Sequence, residues 1–147
     1  MPPIRRLIYA SLGVTTHDIR FLGVAASVFD QVTYLRFDGR IDTPLSSQIP
    51  RNVSIADWFG TRCSVMTTEP FEFIEPFSKM ISDIKPDLIH AGPLSSVAWI
   101  ATTDSTVPVL GMSWATDVLV DAQEHDADAE RVSKTCRNVV GLITDSQ

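Results

Sequence analysis

Six short apolar blocks recur along this chain, and helix-patterned or turn-rich segments separate them. That alternation constrains the fold more than any other feature. Strands joined through an intervening helix must pair in parallel, and their crossovers are right-handed.

The first block, residues 4–10, carries Ile4, Leu7, Ile8 and Tyr9 and runs into Ser11-Leu12-Gly13, a strand followed by a glycine turn. A helix is expected from Thr16 to about Phe29. Thr16 is its N-cap, Asp18 sits in the first turn, and Phe21, Leu22, Ala25, Val28 and Phe29 fall at helical spacing. Residues 31–37 (QVTYLRF) are rich in strand formers and complete a βαβ unit.

Residues 38–69 hold Gly39, Pro44, Pro50 and Gly60, with one short strand around 52–56. From Pro70 to Lys85 an apolar stripe predicts a helix that either kinks or begins at Pro76. Residues 86–90 form a strand, Ala91-Gly92-Pro93 a tight turn, and 94–102 a helix with Pro93 at its first position. A strand over 107–112, an acidic loop, a helix over about 127–137 and a strand over 139–144 follow. The expected architecture is a doubly wound α/β fold, a Rossmann-like three-layer α/β/α sandwich with a mostly parallel sheet.

The 147 residues suit one domain. Asp145-Ser146 makes a good helix N-cap pair after the last strand, yet only Gln147 follows. The expectation is therefore one domain of a longer protein.

Composition excludes several functions. The net charge of −6, with no basic run beyond Arg5-Arg6, argues against a nucleic-acid partner. No run of about 20 apolar residues could span a bilayer, and the opening MPPIRR lacks the apolar centre of a secretory signal. Cys63 and Cys136 stand 73 positions apart and read as reduced thiols, which points to a cytoplasmic location. No metal-ligand spacing is present.

In such sheets ligands bind beyond the carboxyl ends of the strands. That rule selects residues 11–18, 90–96, 112–117 and 144–146. His17 and Asp18 head the first helix, and His90 closes a strand before the Gly92-Pro93 turn. Histidines and a carboxylate on one cleft edge can bind a polyhydroxylated substrate or exchange protons. Asp18 is explained equally well as a helix-dipole partner and His90 as a hydrogen-bonded rim residue. Trp114 can stack on a sugar face while Asp117 accepts hydroxyl hydrogen bonds; the plainer alternative is that Trp114 covers the core and Asp117 caps the next turn. Trp99 falls at core spacing. Neither a GxGxxG turn, a P-loop nor a GxSxG elbow occurs. Asp126-Ala127-Asp128 matches a short metal-nucleotide pattern, but it lies in an acidic run with His125 and reads as a solvated face.

Four segments carry a resemblance to a known family: THDIRFL (16–22), KPDLIHAGPLSS (85–96), VLGMSWATDVL (109–119) and VVGLITDS (139–146). In this order they resemble the N-terminal domain of retaining GT-B glycosyltransferases of the group-1, family-4-like kind. The resemblance implies a two-domain enzyme, with the acceptor on this domain and the nucleotide-sugar donor on an absent C-terminal domain. It also implies no cofactor and no DxD-bound metal. His17 and Asp18 are the acceptor-side residues it transfers most directly, with His90 and Asp117 next; Trp114 and Gly92 stand where the family often has histidine. Ser11-Leu12-Gly13-Val14 replaces the glycine pair common in the first loop. Membrane association is common among such enzymes, but Lys79 and Lys85 are the only basic residues on the third helix, so no anchor is evident. The alternative is a flavodoxin- or receiver-like binding domain, although the Ser11-Leu12-Gly13 strand end lacks a receiver's acid cluster. A nicotinamide-dinucleotide domain would need the missing glycine fingerprint.

Overall fold

The computed structural model describes residues 3–42 and 44–144. Six parallel strands form one sheet: β1 (Arg6–Ser11), β2 (Gln31–Arg36), β3 (Val53–Ile55), β4 (Leu88–Ala91), β5 (Val109–Ser113) and β6 (Gly141–Thr144). Their spatial order is β3-β2-β1-β4-β5-β6. The chain therefore winds outward from β1 in one direction and then, from β4, in the other. The reversal leaves a switch point between β1 and β4, where Tyr9 lies opposite His90.

Alternation along the strands sorts the core into two layers. Leu7, Tyr9, Val32, Tyr34 and Met112 face α1 (Thr16–Val28), which contributes Leu22 and Ala25. Ile8, Ala10, Leu35, Phe37, Ile89 and Ala91 face the opposite layer. That layer contains α3 (Ile74–Ile84), α4 (Val97–Thr103) and α6 (Asp126–Asn138). Two short helical turns, α2 (Phe59–Arg62) and α5 (Ala122–Glu124), complete the helices. This is the expected Rossmann-like three-layer sandwich, and every strand pairing in it is parallel.

Local boundaries differ from the sequence reading for physical reasons. The first helix is capped by Thr15 rather than Thr16, because Thr15 and Asp18 form a reciprocal capping box. A 3₁₀ turn over Pro70–Phe73 precedes α3, so Pro76 lies in the first helical turn, where its missing N–H costs nothing, and is neither the start nor a kink. The helix after β4 starts at Val97 and not at Leu94, since the Leu94 N–H is taken by a side chain far along the sequence, as shown below. The expected acidic loop after β5 is a π-helical turn over Asp117–Asp121 that continues into α5. The Asp145-Ser146 cap pair lies outside the described residues.

Gly92 answers to close packing. A Cβ there would come 2.4 Å from the Met112 carbonyl oxygen on the neighbouring strand, so no side chain fits, histidine included. Gly92→Ala should lower stability by about 2 kcal/mol, measured as a reduced urea midpoint with an unchanged slope.

Candidate functional site

The carboxyl ends of the strands meet the loops that the sequence singles out. Asp18 is fully buried there. Its Oδ1 accepts the Tyr9 hydroxyl at 2.9 Å, and its Oδ2 accepts the Thr15 N–H at 2.8 Å and the Thr15 hydroxyl. The carboxylate thus closes the first turn of α1 and pins it to the sheet. Burial, with this carboxylate alongside, pushes the Tyr9 phenol far above its ordinary pKa. Both Asp18 oxygens are engaged within the protein.

Asp117 is 1% exposed and plays the equivalent part at the other end of the edge. Its Oδ2 accepts the Leu94 N–H at 2.7 Å; its Oδ1 accepts the Ser113 hydroxyl at 2.9 Å and the Trp114 N–H at 3.1 Å. One carboxylate therefore joins the loop after β4, the end of β5 and the π-helical turn. Ala115 between them takes φ +63°, a left-handed conformation that only a firmly held loop maintains. The plainer sequence reading has Asp117 capping the next turn; its bonds instead run back to Leu94, Ser113 and Trp114, ahead of that turn.

His90 is buried beneath α1, with Tyr9 and Phe21 edge-on to its ring at 5.1 and 5.3 Å. Its Nε2 has no hydrogen-bond partner among the described residues, so it is not the hydrogen-bonded rim residue considered from the sequence. Burial lowers its pKa to about 4, because the imidazolium would lose its hydration.

His17 and Trp114 remain at the surface of the site. Both line a groove of about 470 Å³ between α1 and the ends of β5 and β6, together with Arg20, Phe21, Met112 and Ile143. A second crevice, about 870 Å³, opens on the other side of Trp114. Its walls include Leu12 after β1, the 65–72 loop, Pro93, Ser95 and Ser96 after β4, and Arg131 of α6. Trp114 lines both cavities, which makes it the wall between them.

Sequence reasoning selected the 90–96 segment without singling out Ser95, and it missed Arg131. The Arg131 Nε–H donates to the Ser95 carbonyl at 2.9 Å, a contact 36 positions apart in sequence that no local pattern could announce. Its guanidinium also pairs with Asp128 at 2.6 Å, so the aspartate of the short DxD-like run is engaged within the protein. Arg36 and Asp38 were missed as well. Arg36 is fully buried at the end of β2, and its Nε–H and Nη2–H both donate to the Asp38 carboxylate. Among the described residues no group of three or more His, Cys, Asp or Glu could hold a metal ion, and no helix is long and apolar enough to cross a membrane.

No family model and no curated protein matches the chain. Among solved structures, a wide-type short-chain dehydrogenase/reductase from Veillonella parvula, in complex with NADP, matches at a TM-score of 0.49 and 11% identity. The match covers 96% of this chain and 68% of that one.

Two measurements test these roles. Asp117→Ala leaves two backbone N–H groups and a hydroxyl without their acceptor and should cost about 3 kcal/mol in denaturant unfolding. His90 sets a pH dependence. Its folded pKa lies below the unfolded value near 6.5, so the unfolded chain binds the proton more readily; its contribution is complete above about pH 6.5 and is lost toward pH 4. Between pH 7 and pH 5 stability should fall by about 2 kcal/mol from this group, and His90→Phe should flatten that segment of the profile.

Proposed function

We propose that this chain is the acceptor-side domain of a retaining GT-B glycosyltransferase, working with a second domain that binds the nucleotide-sugar. One observation carries the reading: all four segments that resemble the family contribute to the two cavities that Trp114 separates. Residues of 16–22, 109–119 and 139–146 line the groove, and residues of 85–96 and 109–119 line the crevice.

The chemistry of the edge supports the same division of labour. The helix N-terminus that would bind a phosphate already holds the Asp18 carboxylate, which satisfies its Thr15 amide and faces the positive end of the dipole. Asp38 stands where a dinucleotide-binding sheet places its ribose-binding acid, but Arg36 claims both its oxygens. Besides the charged groups His17 and Arg20 in the groove, the two cavities present the Trp114 indole and serine and threonine residues, groups that suit a sugar or polyol. In this role Trp114 would lie against the C–H face of the acceptor, and Ser95 and Ser96 would hold its hydroxyls. Asp117 would act indirectly as a positioning residue, by fixing the loop that carries Trp114.

Isothermal titration of the chain with UDP-glucose and GDP-mannose should give no saturable heat. A dissociation constant of roughly 100 µM or tighter for either donor would overturn the assignment of the acceptor side to this domain.

A further inference from the structure

The groove between α1 and the ends of β5 and β6 exists because the two faces of the sheet are covered unequally. α3, α4 and α6 all pack on one face, whereas α1 is the one described helix in the core of the other. It lies over β1 and β2. No described helix covers β5 and β6 on this side. Ile143, in register with Met112, shares its face, and the two line the groove beside the flank of α1. Val24, on the α1 wall, is 64% exposed. At about 470 Å³ the groove has the dimensions of a small-molecule site.

Its lining selects among small molecules. Phe21 and Trp114 supply aromatic rings and Met112 a polarisable thioether, partners suited to a flat aromatic body. The basic residues of the lining are His17 and Arg20, and no Asp or Glu among the described residues belongs to it. The rest of the surface has the opposite balance. The chain carries −6 overall, and the crevice beyond Trp114 is bordered by Glu69, Glu72, Asp121 and Asp128. Ion pairs among the described residues engage Arg5, Arg36, Arg62 and Arg131, but not Arg20. A guanidinium fork pairs with a carboxylate through two parallel hydrogen bonds, and beside an apolar wall water screens the pair less than on open surface. One guanidinium balances a monoanion; a phosphate would bring surplus negative charge into an already anionic protein.

We infer that this groove binds a planar aromatic carboxylate, its ring system against Phe21, Met112 and Trp114 and its carboxylate paired with Arg20. The site lies across Trp114 from Ser95 and Ser96, and it stands or falls independently of the acceptor-side reading.

The test is a titration of the ¹⁵N-labelled chain at low salt, followed through amide shifts in residues 15–24, 112–114 and 143–144. The probes are 2-naphthoate, 2-naphthylmethanol, 2-naphthyl phosphate and acetate. Naphthoate should saturate these shifts and bind about threefold more tightly than the alcohol. The phosphate should not exceed naphthoate, and acetate should not saturate. Arg20→Gln should lower naphthoate to the level of the alcohol and leave the alcohol unchanged. Val24→Glu gives Arg20 a carboxylate one helical turn away and should bring the ratio of the two affinities to about one. Both positions are exposed on α1, so the substitutions leave the packed core untouched. Equal binding of naphthoate and the alcohol, tighter binding of the phosphate, an unaffected Arg20→Gln variant or no saturable shifts would each overturn the inference. Displacement of naphthoate by UDP-glucose would do so by making the groove a nucleotide site. Groove shifts that grow with protein concentration alone would do so by assigning it to a second copy of the chain. Donor binding that leaves naphthoate in place would remove only the acceptor-side reading.

Discussion

The carboxyl edge of this protein depends on the Asp117 carboxylate. A sheet holds its strands by backbone hydrogen bonds, but the loops beyond the strand ends have no such lattice and need another source of order. Asp117 supplies it by accepting from Leu94, Ser113 and Trp114 at once. Burying a carboxylate is expensive unless donors surround it, and three donors at 2.7–3.1 Å meet that requirement. The same bonds supply the acceptor that the Leu94 amide needs outside a helix, and they steady the left-handed Ala115. Asp18 does comparable work at the head of α1. The two acids that look most available for chemistry in the sequence are therefore the two that make the edge rigid.

The layered fold was legible because it follows from local periodicity. Apolar blocks with period two and stripes with helical spacing announced each main strand and helix, and the reversal between β1 and β4 follows from how such units wind. Element ends were less legible, because caps depend on side-chain geometry. Thr15 and Thr16 are equally good caps on composition, and only the reach of Asp18 back to Thr15 distinguishes them. The turn over Pro93–Ser96 looked helical since its residues suit a helix, yet a buried acid 23 positions away claims the Leu94 amide.

The site was half legible. The rule that ligands meet the carboxyl ends of strands points to this edge, and His17 and Trp114 do line a cavity there. Which polar groups stay available is a tertiary property. Ser95 is one of two adjacent serines in an unremarkable turn, and only the fold brings Arg131 of α6 to its carbonyl. His90 looked like a rim residue because it ends a strand; the rings of Tyr9 and Phe21 instead enclose it.

The position of Trp114 has a further consequence. A side chain that borders two compartments cannot move for one without altering the other, and Trp114 borders both groove and crevice. An occupant of the groove that shifted this ring would change the shape of the crevice, and by linkage any change in affinity would be returned by the same factor.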